Sequence, residues 1–331
     1  MAETQSWARD EIDTKIIGLL FENARRNFAE IGKELGISKN AVWSRYRKMK
    51  YEGVITGATV QINFKRLGYD AVGTLLLDVE PSQLEQDSKY IEANVPEVFG
   101  PFLSASRYSL RAVVALKTIS ELGKIKDDLR RKLCIEEISS SIWTDVWFIP
   151  ENLTLLPIQP VDANKKSVDN RVFDADEIDL HLISALAKDS RLSFRTMAEQ
   201  LGVSIDTVAR RCQKLNEESV IMSRIQVNPF KIGYSALANF YLRILPQYEV
   251  DTIIREIFPT PDVFYLMKCN GDFNICAMLM VKNVQDMLET GDRITRIPGV
   301  KRLETVPGPL TEKWPLPRTY TSTFARDTAA T

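Results

Sequence analysis

Residues Phe28 to Ile55 have the sequence FAEIGKELGISKNAVWSRYRKMKYEGVI, which is the pattern of two helices joined by a tight turn. Apolar residues recur at helical spacing from Phe28 to Leu35, and Gly36 then favours the end of the helix. Ser38 is a good N-cap for a second helix, whose exposed faces would carry cations and hydrogen-bond formers. Because such a helix fits the DNA major groove, the pattern predicts a helix-turn-helix (HTH) with a recognition helix after Ser38.

The same pattern occurs a second time, from Phe194 to Ile221, and it aligns with the first without a gap. The match begins upstream of the HTH, because Asp10 to Asp13 corresponds to Asp176 to Asp179. The alternative interpretation is an ordinary helical hairpin with a solvated basic face. That interpretation does not explain why the pattern occurs twice. The spacing of about 165 residues far exceeds a solenoid period, so the sequence predicts a duplicated multi-element unit.

Composition narrows the class of protein. With 331 residues the chain is long enough for two to four domains, and no apolar run is long enough to span a bilayer. The first residues lack the order of a signal peptide, which favours a cytoplasmic protein. The four cysteines form no CxxC pair and His181 is the single histidine, so we expect neither a metal site nor a cofactor.

The two repeats differ in charge. Residues 10–55 contain nine Lys or Arg and seven Asp or Glu, a net charge of +2. Residues 176–221 contain six Lys or Arg and eight Asp or Glu, a net charge of −2. Phosphate contacts supply most of the sequence-independent affinity for DNA. We therefore expect the first HTH to hold double-stranded DNA more tightly than the second.

Downstream of each HTH the sequence pattern changes to strand, helix, strand, strand, helix, strand. This order predicts a ferredoxin-like βαββαβ domain, so the fold class is α+β. The open face of such a sheet must be covered, and pairing with another copy is the usual solution. The predicted segments are an HTH domain at 1–63, a ferredoxin-like domain at 64–152, a linker at 153–172, an HTH domain at 173–228, a ferredoxin-like domain at 229–313 and a flexible tail at 314–331.

Taken together, these blocks resemble the Lrp/AsnC, or feast/famine, family of prokaryotic regulators. The resemblance rests on four repeated features: Asp-Glu-Ile-Asp at the first helix, the Leu-Gly-Ile/Val-Ser turn, Arg45 and Arg211 in the recognition helices, and Gly-Tyr at Gly68-Tyr69 and Gly233-Tyr234. It covers both repeats and leaves only the linker and the tail. It implies a sequence-specific, nucleoid-associated transcription regulator with winged HTH domains, in which the ferredoxin-like domain dimerises and senses a small molecule, commonly an amino acid.

Most family members carry one such unit per chain, whereas this chain carries two. The resemblance therefore implies that the two ferredoxin-like domains of one chain pair with each other as an internal pseudo-dimer. Fusion favours this pairing because an intramolecular partner has a high effective concentration. Swapped pairing between chains is the alternative, and we also expect homodimers or higher homo-oligomers.

The expected DNA-binding residues lie on the two recognition helices. In the first HTH they are Ser38, Lys39, Asn40, Trp43, Ser44 and Arg47 toward the groove, with Arg45 and Lys48 nearer the phosphates. In the second HTH they are Ser204, Asp206, Thr207, Arg210, Arg211 and Lys214. Trp43 either contacts DNA or packs against the protein. Because Asp206 repels phosphate, the two helices are unlike and we expect an asymmetric operator.

A turn in the second ferredoxin-like domain is the expected effector site. Family members have a Gly-x-Tyr/Phe-Asp turn there, and this chain has a partial match at Asn270, Gly271, Asp272, Phe273 and Asn274. The corresponding stretch of the first repeat, Ser104 to Ser109, lacks the glycine. The alternative is a hairpin without a ligand, since Asn-Gly is itself a strong turn signal. Cys269 and Cys276 flank the turn and are expected to be buried thiols.

Two other functions compete with the regulator. Siroheme decarboxylases share this two-domain architecture, but their chemistry would call for histidine or arginine around a tetrapyrrole. Because His181 lies in the first helix of the second HTH, away from the predicted sheets, we expect no catalytic residue and no enzyme. The third function is a nucleoid-organising protein that oligomerises along DNA with weak sequence preference.

Overall fold

The computed structural model describes residues 7, 10–95, 97–104, 107–156, 158, 171–308 and 310–316. Contacts divide the chain into two compact units. The HTH unit is drawn from Met1–Gly68, Leu155–Gly233 and Thr311–Thr331, and the sheet unit from Tyr69–Thr154 and Tyr234–Leu310. Residues 157 and 159–170 of the predicted linker lie outside the described part. The six-segment division drawn from the sequence stays a prediction.

The elements follow the same order in both repeats, except that the short helix α9 of the second repeat corresponds to a 3-10 turn at Lys65–Leu67 in the first. The first repeat contains α1 (Glu11–Glu22), α2 (Phe28–Leu35), α3 (Lys39–Tyr51), β1 (Ile55–Ile62), β2 (Ala71–Val79), α4 (Leu84–Asn94), β3 (Val98–Leu103), β4 (Leu110–Leu116), α5 (Glu121–Lys132) and β5 (Ile135–Phe148). The second contains α6 (Glu177–Lys188), α7 (Phe194–Leu201), α8 (Ile205–Glu217), β6 (Ile221–Val227), α9 (Pro229–Ile232), β7 (Ala236–Ile244), α10 (Val250–Ile257), β8 (Val263–Asn270), β9 (Ile275–Val281), α11 (Val284–Thr295) and β10 (Val300–Gly308). The predicted α+β fold, with two HTH domains each followed by a ferredoxin-like domain, is confirmed.

The strand after each recognition helix joins the two HTHs. Strand β1 pairs antiparallel with β6, so that Ala58 lies opposite Ile225 and Ile62 opposite Ile221. Each predicted wing strand thus takes its partner from the other repeat, not from its own HTH. The side chains of Val60 and Ile225 on these strands are fully buried. The two-stranded ribbon therefore belongs to the core that both HTHs share.

The sheet unit contains one antiparallel sheet of eight strands in the order β10-β7-β9-β8-β5-β2-β4-β3. Each run of four is a ferredoxin-like sheet. Strand β5 joins them because its first part pairs with β2 and its last part pairs with β8, where Trp147 lies opposite Leu266. The two ferredoxin-like domains of one chain therefore pair with each other, as the fusion of two repeats predicts.

Each half of this sheet packs on its own helices. Leu75 of β2 and Leu129 of α5 lie in the core of the first half. Phe240 of β7 and Ile253 of α10 lie in the core of the second half. A fully buried side chain of this size contributes about 1.5–3 kcal/mol relative to an exposed one. Two separate apolar cores thus stabilise the two halves.

The start of the C-terminal tail is ordered, contrary to the predicted flexible tail at 314–331. Trp314 forms a β-bridge with Val227 and its ring stacks on Phe21, with the ring centroids 5.3 Å apart. The Gln226 side chain also donates a hydrogen bond to the Pro315 carbonyl at 2.9 Å. An aromatic ring buries enough apolar area to offset the entropy lost on ordering. Residues 317–331 lie outside the described part.

No helix among the described residues has both the length and the apolar character needed to cross a membrane.

Candidate nucleic-acid interface

The two HTH turns have the same local geometry. Gly36 and Gly202 end α2 and α7 in the left-handed conformation, with φ of 69° and 65°. The Ser38 hydroxyl accepts a hydrogen bond from the backbone N–H of Ala41 at 3.1 Å, and the Ser204 hydroxyl accepts one from Thr207 at the same distance. Glycine tolerates positive φ, and the serine caps satisfy backbone donors that a helix start leaves free. These features fix where the recognition helices α3 and α8 begin.

Arg45 is held by carboxylates of its own HTH. Its Nη1 atom donates to Asp10 Oδ2 and to Asp13 Oδ1, both at 2.8 Å. The hydrogen bond from Arg45 holds the pKa of Asp10 below its ordinary value, and the bonds to Asp13 and Asp10 raise the pKa of Arg45. The resemblance to the Lrp/AsnC family predicts this arginine near the phosphates of DNA. Because its charge is already paired, Arg45 instead fixes the recognition helix against α1.

Arg211 repeats this arrangement in the second HTH. Its Nη1 atom lies 2.7 Å from Asp176 Oδ2 and 2.9 Å from Asp179 Oδ1. Backbone and side-chain hydrogen bonds, first from Asp179 and then from Arg211, lower the pKa of Asp176. Hydrogen bonds to Asp179 and Asp176 raise the pKa of Arg211. The repeated Asp-x-x-Asp motif is therefore the partner of the repeated arginine, and Arg211 is also a positioning residue.

The exposed surface of α3 carries most of the remaining expected DNA contacts. Its exposed residues include Ser38 as the cap, Lys39, Asn40, Trp43, Ser44, Arg47 and Lys48. Lys48 approaches Glu52 only to 3.9 Å at the surface, where an ion pair contributes little. Trp43 stacks against Tyr46 and still leaves 47% of its surface exposed, so packing is shown and the contact with DNA stays a prediction. The exposed surface of the helix therefore carries three of the expected cations, with Lys50 as a fourth, and several hydrogen-bond formers.

The exposed surface of α8 offers fewer free donors. Ser204, Asp206, Arg210 and Lys214 are exposed and Thr207 is half-buried. The ammonium of Lys214 lies 4.9 Å above the ring of Phe173, and Gln213, which aligns with Arg47, donates to Glu217 at 2.7 Å. Asp206 adds a negative charge near the start of the helix. The two surfaces therefore differ in charge in the direction expected from the sequence.

Two arginines cross between the HTHs. Arg25 donates from Nη2 to the Leu192 carbonyl at 2.5 Å, and its guanidinium lies 4.5 Å above the ring of Phe194. Arg191 makes the reciprocal hydrogen bond to the Ala24 carbonyl and lies 4.9 Å above the ring of Phe28. Arg25 and Arg191 occupy aligned positions of the two repeats, but only the three-dimensional arrangement shows that each reaches the other repeat. These contacts fix the separation of the recognition helices.

The predicted effector residues form the turn between β8 and β9. Phe273 packs against Tyr241, with the ring centroids 5.4 Å apart, and Asn274 Oδ1 accepts a hydrogen bond from the Ile244 backbone N–H at 2.8 Å. These two residues hold the hairpin and leave three exposed at its tip: Asn270, Gly271 and Asp272. In the corresponding turn of the first repeat, residues 105–106 lie outside the described part.

One of the four thiols is expected to react in the native protein. Cys134 is exposed, whereas Cys212, Cys269 and Cys276 are buried. Burial raises the pKa of Cys269 to about 11 and the pKa of Cys276 well above its ordinary value. Because the thiolate is the reactive form, the buried thiols should react only after unfolding. Titration with Ellman's reagent should give one thiol per native chain and four in guanidinium chloride. Rapid reaction of Cys269 or Cys276 in the native protein would support a redox role instead.

Comparison with known proteins identifies the family. The model of the AsnC-type helix-turn-helix domain matches residues 10–50 and again residues 176–216. The HTH-type transcriptional regulator Ptr1 of Methanocaldococcus jannaschii is 37% identical over 115 residues, which are 35% of this chain and 77% of that protein. The chain belongs to the Lrp/AsnC family.

The Lrp/AsnC relatives also support the duplication. Regulatory protein AsnC of Escherichia coli (strain K12) is 29% identical over 157 residues, which are 47% of this chain and 99% of that protein. A whole relative therefore matches less than half of this chain. Together with the two HTH matches, this is consistent with two Lrp/AsnC units in tandem.

A solved enzyme has the same fold over nearly the whole chain. The siroheme decarboxylase NirDL, in a complex with an iron-uroporphyrin III analogue, matches 96% of this chain and 97% of its own, with a TM-score of 0.66 and 14% identity. At this identity the similarity shows the fold alone. The match to NirDL nevertheless contradicts the prediction that this chain is not an enzyme, because it shows that the fold of this chain also occurs in an enzyme. The histidine count on which that prediction depended does not decide the question.

Proposed function

We propose that the chain is a sequence-specific, DNA-binding transcription regulator with two unequal recognition helices. The observation that carries the proposal is the exposure of Lys39, Arg47 and Lys48 on α3 of an AsnC-type HTH. Lysine supplies charge to phosphates, and the planar guanidinium of arginine can bind guanine with two hydrogen bonds. The relatives named as transcriptional regulators support the same class of function.

The operator in this proposal is asymmetric. Helix α8 carries Gln213 where α3 carries Arg47, and Asp206 where α3 carries Asn40. A carboxylate near the phosphates weakens binding, whereas an amide at the same position can bind adenine. The second HTH therefore contributes less affinity and prefers a different half-site. Because the two HTHs belong to one chain, the unlike half-sites have a fixed order.

Salt-dependent binding to duplex DNA tests this function. The full chain is titrated into a labelled duplex carrying the promoter region of its own gene and into a scrambled duplex of the same length. We expect the affinity for the first duplex to fall steeply with salt and to exceed the affinity for the scrambled one. Equal, salt-dependent binding to both would favour the nucleoid-organising function. Binding that does not depend on salt, or none, would refute both.

Modulation by a small molecule, such as an amino acid, belongs to the same proposal. The hairpin tip at Asn270, Gly271 and Asp272 is the site that the sequence favours, since exposed backbone amides at a turn can bind a carboxylate. We further propose that the chain associates into homodimers or higher homo-oligomers and that it is nucleoid-associated in the cytoplasm. Light scattering of the full chain, with and without an amino-acid mixture, tests whether a small molecule changes its oligomeric state.

A second candidate function is a siroheme-decarboxylase-like activity. The fold shared with NirDL over 96% of this chain favours it. The single histidine, His181, is exposed on α6 in the HTH unit and its Nδ1 atom lies 2.8 Å from the Glu177 carbonyl. A tetrapyrrole bound in the sheet unit would therefore depend on arginine, tyrosine or lysine there. Anaerobic incubation with siroheme tests this function: release of carbon dioxide would support it, and recovery of siroheme with an unchanged mass would refute it.

A further inference from the structure

A cavity lies inside the HTH unit, between the two HTHs. Its volume is about 260 Å³, and its lining includes Arg25 from the first HTH together with Phe194, Ala209 and Cys212 from the second. Three residues of the β1–β6 ribbon, Val60, Ile221 and Ser223, also line it. This volume is slightly smaller than that of pockets for drug-sized ligands, so it suits a small metabolite.

The cavity exists because the two repeats differ at two aligned positions. In the first HTH, Tyr46 is only 6% exposed and its ring centroid lies 5.2 Å from that of Phe28. Trp43 packs against both rings, with its centroid 6.1 Å from that of Tyr46 and 5.8 Å from that of Phe28. Cys212 and Ala209 take the places of Tyr46 and Trp43 in the second HTH. Two aromatic rings that fill the first HTH are therefore missing from the second, and the remaining space faces Arg25.

Arg25 gives this cavity a positive charge. Its guanidinium is half-buried, donates to the Leu192 carbonyl and stacks on Phe194. The charge of Asp189 acts on it, but no carboxylate of the described residues lies within ion-pair distance. Burial lowers the pKa of Arg25, yet an arginine keeps its proton in proteins. An unpaired cation in a partly buried cavity favours an anion, and a carboxylate matches the guanidinium geometry best.

The other walls of the cavity combine apolar side chains with the polar side chains of Asn23, Gln213 and Asn216, and apolar surface predominates. Leu186, Phe194 and Ile221 contribute hydrocarbon surface, and the hydroxyls of Ser190 and Ser223 are bonded to each other at 2.8 Å. An anion that fits must therefore also carry an apolar part. A fully polar anion such as phosphate would leave these walls uncovered and gain nothing from them.

We propose that this cavity binds a small monocarboxylate with a short hydrocarbon tail. The carboxylate pairs with Arg25, and the tail packs against Phe194 and Ile221. The ligand contacts α8 through Ala209 and Cys212, so its binding favours one position of the second recognition helix relative to the first. This regulatory consequence rests on the proposed function. The binding itself does not, and it is measured without DNA.

The experiment uses the full chain and four probes: benzoate, 4-methylpentanoate, and the neutral alcohols benzyl alcohol and 4-methylpentan-1-ol. Binding is measured by isothermal titration calorimetry, supported by ligand-observed NMR. Cys212→Tyr restores the ring that the first HTH has and fills the cavity. Arg25→Gln removes the charge. Cys134→Tyr is the matched control, because Cys134 is an exposed cysteine in the sheet unit.

We expect at least one carboxylate to bind the native chain with a Kd of about 1 mM or lower, and the matching alcohol to bind roughly tenfold more weakly. Cys212→Tyr should abolish binding and Cys134→Tyr should leave it unchanged. Arg25→Gln should remove the preference for the carboxylate over the alcohol. If Cys212→Tyr does not fold, the preference of Arg25→Gln for carboxylate over alcohol decides whether the proposal holds. Failure of both carboxylates to bind the native chain would overturn the proposal, as would unchanged binding to Cys212→Tyr or an unchanged preference in Arg25→Gln.

Discussion

Replacement of Arg47 and Lys48 together by alanine is expected to weaken binding of the operator by about 3 kcal/mol, roughly a hundredfold or more. Both side chains are exposed on α3, so the loss would come from contacts to DNA and not from the core of the protein. One lost guanidinium contact to a base edge costs about 1–3 kcal/mol, and one lost phosphate contact adds to this. Fluorescence anisotropy with a labelled operator at fixed salt measures the change.

The matched control is the aligned pair in the second HTH, Gln213→Ala with Lys214→Ala. Gln213 bonds to Glu217 and Lys214 lies above Phe173, so both are partly engaged within the protein. We expect a loss of at most about 1 kcal/mol, as for an exposed contact of low charge. Equal losses for the two variants would contradict the unequal roles of the recognition helices. An unchanged thermal unfolding profile for both variants would exclude a change in stability as the cause.

Trp314→Ala is expected to lower the free energy of unfolding by about 3–5 kcal/mol, the range for a buried aromatic residue replaced by alanine. Trp314 is 6% exposed, stacks on Phe21 and forms a bridge with Val227. Urea unfolding followed by circular dichroism measures the change in the HTH unit. Leu316→Ala is the control, because 54% of Leu316 is exposed. It should change stability by less than about 0.5 kcal/mol. If Trp314→Ala lowered the free energy of unfolding as little as Leu316→Ala does, the tail would not contribute to the core.

Helix boundaries were predictable because local chemistry sets them. The sequence placed the start of the first helix at the Asp10 to Asp13 block, and α1 begins at Glu11. Asp10 caps it by accepting a hydrogen bond from the Ile12 N–H at 2.7 Å. The HTH turn is equally local, since Gly36 and Ser38 need no partner from elsewhere in the chain. The strands and helices of the ferredoxin-like domains were predictable for the same reason, because the spacing of apolar residues along the chain is a local signal.

Contacts between distant residues were not predictable from spacing. The sequence showed that Arg45 and Arg211 repeat, but whether they face DNA or a carboxylate depends on how α1 packs against α3. The order in the tail depends on Phe21, which is almost the whole chain away from Trp314. The cavity beside Arg25 follows from two substitutions between the repeats, and their effect needs the neighbouring HTH to be seen. In each case local rules leave the partner unspecified.

Selection of bound duplexes from a random pool by the full chain tests the central claim most directly. The claim is that one chain presents two unequal recognition helices to DNA. We predict an enriched motif with two unlike half-sites about one helical turn apart, and loss of the better-defined half-site when Arg47 and Lys48 are replaced. Enrichment of a perfect palindrome, or of no motif at all, would contradict the claim.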